Sequence, residues 1–172
     1  MGDLAPTGAT GLAADYLRTL LSENSAFQTW TGHAGSASAA LEHVYDGIVT
    51  TEPENVPYVL IEDAIEAQPA DEKIAETFVG TVELELLIGN DVPEAYVNSG
   101  RNAAVFVRNE FDALRAILWA LNGGEVDGVR IYIQSVQCRE RPWFIRRSAQ
   151  SGTDRFECYQ MRFGLTFGPH GE

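Results

Sequence analysis

The sequence predicts an α+β fold: a mostly antiparallel sheet with two main helices packed on one face and a long C-terminal β-hairpin. Three observations carry this. The stretch NAAVFVRNEFDALRAILWAL, residues 102–121, places apolar side chains at helical spacing. Stretches of period two flank it on both sides. The element order is then helix, strand, strand, helix, strand, strand, without the strand–helix alternation of a parallel sheet.

The long helix has a clear apolar face. Ala103, Val107, Phe111, Leu114, Leu118 and Leu121 recur at steps of four and three, and Phe106, Ala113, Ile117 and Trp119 are expected to widen the stripe. Arg108, Asn109, Asp112 and Arg115 fall mostly off it. Asn98 or Ser99 is suited to cap the start, and Asn122-Gly123 to stop the end. An earlier helix is expected from Thr10, as its cap, to about Ser22, with Leu12, Ala13, Tyr16, Leu17, Leu20 and Leu21 inward. Ser25 suits a short capped turn carrying Phe27 and Trp30. The Gly/Ser/Ala-rich stretch 31–38 reads as loop, 39–44 as a helical turn, and 45–57, with Gly47, Pro53 and Pro57, as irregular.

Strands are expected at 58–62 (YVLIE) and 77–89, joined by an acidic connector. In the second, Val82, Leu84, Leu86 and Ile88 alternate with Thr81, Glu83, Glu85 and Leu87, so one face is core and the other acidic. After the long helix, 129–137, 143–147 and 155–167 read as extended, with a turn at 148–154. A hairpin turning near Gln150 and Ser151 sets Cys158 opposite Trp143 and Cys138 opposite Phe163. The two sulfurs then lie too far apart to bridge. Both cysteines are expected reduced, as in a reducing compartment. The domain reading is a loose arm over 1–9, one domain over 10–168 and a short tail over 169–172.

Composition narrows the function classes. The chain has 172 residues, 45% of them apolar, enough for a real core. No apolar run approaches the roughly 18 residues of a membrane span, and the N-terminus shows neither signal-peptide nor myristoylation pattern, so no membrane partner is expected. The net charge of −13 argues against nucleic-acid recognition. The charge is unevenly placed. Residues 42–94 hold fourteen Asp/Glu and one Lys, whereas 139–162 hold six Arg and three acids.

Catalytic signatures are not found. His33, His43 and His170 have no metal-ligand spacing with one another or with either cysteine. No nucleophile elbow or phosphate loop is present, so no catalytic residue, metal or cofactor is expected and the chain reads as a non-enzyme. Glu83 and Glu85 point the same way on a strand, which admits a carboxylate pair, although a solvated strand face explains them more simply. The strongest local oddity is Arg139, Arg141, Arg146, Arg147 and Arg155, bracketing the hairpin with Trp143 and Phe144 between them. Arginine and aromatic residues are enriched in protein interfaces. The expectation is therefore a protein interface with Arg139, Arg141, Arg146, Arg147, Arg155 and Trp143 on one side. Acidic residues such as Glu83 and Glu85 of a neighbouring copy would lie on the other.

Six stretches, in this order, resemble the tail terminator (tail completion) proteins of tailed bacteriophages. They are YLRTLLSENSAFQTWTG, VYDG, PYVLIED, GTVELELLIG, RNEFDALRAIL and RFGLTFG, spread over residues 10–168. The resemblance implies a structural virion protein of the tail–neck junction, found in host cytoplasm during assembly. It implies a homohexameric ring that caps the tail tube, with the tail tube protein and the head–neck connector protein as partners. The alternatives are another neck or tube adaptor of the same particle, or a small α+β enzyme. Ring closure needs two different patches on each subunit, and opposite charge on two segments is one way to make them.

Overall fold

The structure, a computed structural model, describes residues 4–6, 9–47, 53–68, 81–145 and 156–168. In chain order the elements are α1 (Ala9–Glu23), α2 (Ser25–Trp30), α3 (Ala37–Leu41), β1 (Val44–Asp46), β2 (Tyr58–Gln68) and β3 (Thr81–Asp91). They continue with α4 (Gly100–Ala120), β4 (Glu125–Val126), β5 (Val129–Arg130), β6 (Tyr132–Ile145) and β7 (Cys158–Gly168). Five strands form one sheet in the order β1-β2-β3-β7-β6. Every neighbouring pair in it is antiparallel except β1 with β2. The fold is α+β, as expected.

Strand alternation decides which face is dry. Val82, Leu84, Leu86 and Ile88 of β3, with Met161, Phe163, Leu165 and Phe167 of β7, are all buried in the main core. Both main helices close over this face, α1 on the β1–β3 side and α4 on β6 and β7. On α4, Ala103, Val107, Leu114, Ile117 and Leu118 are buried, as is Leu121 at its C-cap, while Phe111 is half-buried and stacks on Phe163 at 5.1 Å. Ala113 and Trp119 do not widen the stripe; both are exposed. Ser99 is the cap, its hydroxyl accepting from the Asn102 N–H at 3.2 Å. The stop is also glue. Gly123 adopts φ 81°, its N–H donates to the Ile131 carbonyl, and the Asn122 side-chain oxygen accepts from the Ile133 N–H at 2.9 Å.

Several local expectations are corrected. Thr10 lies inside α1 rather than capping it. Asn24, not Ser25, caps α2, accepting from the Phe27 N–H, because a side chain one residue earlier reaches the orphan donor. Ser36 caps α3, so the helical turn comes earlier than 39–44 and Val44 begins a strand. The stretch 45–57 is not wholly irregular, since β1 pairs in parallel with β2. The strand at 58–62 runs to Gln68, and β6 is one continuous strand of 14 residues rather than two pieces. Pro142 is tolerated in it because β6 is an edge strand and the proline sits at an irregularity. Register irregularities along β6 explain a further miss. Cys138 faces Phe163 as expected, but Cys158 faces Ile145, and Trp143 faces Gln160. Both cysteines are free. Ala67 and Gln68, expected to begin the connector over 67–76, end β2 instead. Residues 69–80, which hold the rest of that connector and the expected start of the next strand, the turn at 148–154, the C-terminal tail and most of the N-terminal arm lie outside the described residues.

One polar group sits under α4. The Glu110 carboxylate accepts from Tyr159 Oη at 2.7 Å, Trp30 Nε1 at 2.8 Å and Asn90 Nδ2 at 3.3 Å, tying α4 to β7, α2 and the end of β3. Burial first, and then the Glu110 charge, push the Tyr159 phenol far above its ordinary value of 10.0. The sign follows. The folded state holds this proton more tightly than the unfolded chain, so the contribution is complete below about pH 10 and declines as pH rises beyond it. In an alkaline titration followed at the tyrosinate absorbance, Tyr159 is expected to ionise only as the protein unfolds. Tyr159→Phe is expected to remove one of the six tyrosines from the unfolding-linked step. An unchanged step would contradict the assignment.

Candidate functional site

The second face of the sheet, on which no described helix lies, is built from the alternate residues of the same strands. Tyr58, Leu60 and Leu87 form a small buried apolar cluster there, with Tyr45, Val56 and Trp143 packed against it. Gly89 makes this possible, because a Cβ at that position would stand 2.5 Å from the Tyr58 ring. Gln160 donates to Tyr58 Oη at 2.6 Å and holds the ring in place.

Charged residues continue the face. Arg162 on β7 stands opposite Glu140 on β6 and Leu87 on β3. Its guanidinium reaches past Leu87 to grip Glu62 of β2 with two N–H groups, at 2.6 and 3.0 Å, and donates a third hydrogen bond to Glu140 at 2.5 Å. The same guanidinium lies 5.5 Å from the centre of the Trp143 ring. Hydrogen bonding to Glu62, opposed by desolvation and helped by Glu140, raises its pKa above an already high ordinary value. A second arginine does something similar. Arg139 crosses over Gly164, where there is no side chain to stop it, and pairs with Glu83.

The expected site residues therefore separate. Arg139, Glu83 and Trp143 are brought onto one face, with Glu85 in the same strand row, opposite Gly164. Arg141 is exposed beside the irregular part of β6 and has no carboxylate partner among the described residues. Arg146, Arg147 and Arg155 lie outside the described residues. The charge split read from the sequence is realised within the chain: arginines of the late segment, Arg139 and Arg162, pair with acids of the middle one, Glu83 and Glu62. Glu83 is thus ion-paired with an arginine of its own chain.

Arg162 is the hub of this face, and its fork geometry matters more than its charge. Arg162→Lys keeps the charge but loses the two-pronged grip on Glu62. It is expected to cost about 1 kcal/mol in denaturant unfolding, and Arg162→Ala somewhat more, from lost packing on Trp143. A loss below about 0.3 kcal/mol for both would show the network to be surface decoration.

Two groups escaped the sequence reading. Glu110 looks like one more polar residue on an amphipathic helix until its three donors are seen. His33 and His43 have no ligand spacing, yet the loop and α3 between them bring their Nε2 atoms to 3.0 Å. The Pro57 carbonyl can only accept, so His43 Nδ1, 2.6 Å away, carries the proton there. In the neutral pair His33 Nε2 then donates to His43 Nε2. Among the described residues no third His, Cys, Asp or Glu joins them in a metal-binding group. No helix among the described residues is long and apolar enough to cross a membrane. Compared with known proteins, the chain matches no family model and no curated protein.

Proposed function

We propose that the chain is a structural assembly protein, a phage tail terminator that forms a ring on the end of the tail tube and offers its other side to the head–neck connector. The observation that carries this reading is the placing of the resembling stretches. YLRTLLSENSAFQTWTG covers most of α1 and all of α2, VYDG covers β1, and PYVLIED begins β2. GTVELELLIG covers most of β3, RNEFDALRAIL runs through α4, and RFGLTFG ends β7. Each stretch thus falls on a helix or strand of the α+β fold. The ion-paired second face fits the same reading, because it adds rigidity to a small subunit without shaping a reaction centre.

The test is direct. The purified protein is expected to give ring-shaped particles by negative-stain electron microscopy and a multiple of the 18.8 kDa chain mass by light scattering. It is also expected to stop elongation when added to polymerising tail tube protein. A monomer at every concentration, with no effect on tube length, would sink the reading and favour an enzyme or an adaptor elsewhere.

A further inference from the structure

The outward face of α4 has a pattern that neither the core nor the ion-paired sheet face uses. Arg101, Arg108 and Arg115 are spaced by seven residues, and Val105, Asp112 and Trp119 fall between or beyond them on the same side. At about 100° per residue these six side chains share an arc of roughly 80°, and the three arginines span about 21 Å of helix. All six are exposed. None of the three arginines pairs with a carboxylate among the described residues. Large apolar side chains are normally covered, yet Val105 is 41% and Trp119 40% exposed, both on this stripe. Tyr96, 38% exposed, stands beside it against Phe106, and a shallow cleft of about 220 Å³ opens between Tyr96, Asn102, Val105, Phe106 and Asn109. Arginine and aromatic side chains are enriched in protein interfaces, and this chain of net charge −13 gathers three arginines with an exposed Trp on one helix face.

The occupant is argued from the sheet order. α4 lies over β7 and β6, at one flank of the sheet. At the opposite flank is β1, a strand of three residues that pairs only with β2 among the described residues. Glu42, Asp46 and Glu54 are exposed around it, and Asn55 ties their loops together by hydrogen bonds to Tyr45 Oη and the Glu42 carbonyl. Four strand spacings, roughly 19 Å, separate β1 from β6. One flank therefore carries a basic stripe with exposed apolar side chains, and the other is acidic. Unlike patches on opposite flanks make a head-to-tail contact, the kind that closes into a ring.

We propose that the outward face of α4 docks on the β1 flank of a second copy of this chain, with Arg101, Arg108 and Arg115 facing Glu42, Asp46 and Glu54 and with Val105 and Trp119, near the two ends of the stripe, as its apolar contacts. This inference rests on the assembly reading above and names the surface that would serve it.

The experiment uses two charge-reversed variants of the full chain. One carries Arg101→Glu, Arg108→Glu and Arg115→Glu, and the other carries Glu42→Arg, Asp46→Arg and Glu54→Arg. Each alone puts like charge across every contact, so each is expected to stay monomeric by light scattering while keeping the wild-type circular dichroism. Mixed in equal amounts, the two are complementary at both contacts and are expected to assemble as an alternating ring. Assembly of the wild type is expected to weaken as salt rises, since screening acts over about 8–10 Å. If the α4 variant assembles like a wild type that forms rings, the α4 surface is wrong and the assembly reading stands. If both variants are monomeric and folded but the mixture does not assemble, the pairing of these two flanks is overturned. A wild type that never assembles overturns both readings. A variant without the native spectrum is replaced by its single substitutions, Arg108→Glu against Asp46→Arg, read by the same mixing test.

Discussion

Leu114→Ala is expected to lower the unfolding free energy by about 3 kcal/mol, within the roughly 2–5 kcal/mol seen when a buried leucine is cut to alanine. Leu114 is 2% exposed and sits in the core cluster between α4 and the sheet. Alanine is a better helix former than leucine, so α4 itself is not weakened. The loss comes from transfer of the missing atoms and from the cavity they leave between elements that cannot collapse independently. Phe111→Ala is expected to cost less, about 2 kcal/mol, because Phe111 is only half-buried and its stacked partner Phe163 stays covered on its other side. Urea unfolding of both variants measures this. A Leu114→Ala loss under about 0.5 kcal/mol, a surface value, would mean that α4 does not lie on the sheet as described.

The second large effect is expected at Glu110. Glu110→Ala leaves Tyr159 Oη, buried with 1% of the residue exposed, without its acceptor, and frees the Trp30 N–H as well. Each orphaned buried group costs about 1–3 kcal/mol, so a total near 3 kcal/mol is expected. Glu110→Gln keeps the shape and one acceptor oxygen and is expected to cost about half as much. The sharper measurement is a double-mutant cycle. With Tyr159→Phe there is no hydroxyl left to orphan, so Glu110→Ala is expected to cost at least 0.5 kcal/mol less in that background. Strict additivity of the two changes would show that the short contact carries no energy.

Periodicity made α4, the core faces of β3 and β7 and the α+β layering legible, because each depends on many residues agreeing. Ser99 and Asn122-Gly123 were legible too, since capping chemistry is local. β1 was not. Three residues are too few to show alternation, and a parallel edge strand owes its place to β2 rather than to its own composition. The register of β6 was legible only in its middle, because irregularities at Gln134, Arg139 and Pro142 leave no mark on the apolar pattern. At the candidate site, the unequal charge of the two segments was visible, but not its destination. Arg139 reaches Glu83 only because position 164 is glycine, and Arg162 reaches Glu62 only because a side chain can span two strands. Such pairings depend on the sheet order, which puts β7 between β3 and β6 although β6 comes first in the chain. Of the outer face of α4, Arg108, Asp112 and Arg115 were read as turned from the core, whereas Trp119 was placed on the apolar stripe and is exposed.

The arginine that crosses Gly164 has a mechanical consequence. An edge strand normally comes away like a zipper, one hydrogen bond at a time, because it is fastened only to its neighbour. Here β6 is also fastened to β3, two strands in, by a strap laid across β7. A pull on the end of β6 is therefore shared with the middle of the sheet, and the strap must let go before the peeling front can pass. Position 164 is the groove in which that strap runs. A side chain there would have to push the guanidinium aside, and a bulky one would loosen the strap and leave β6 closer to a simple edge that tears from its end.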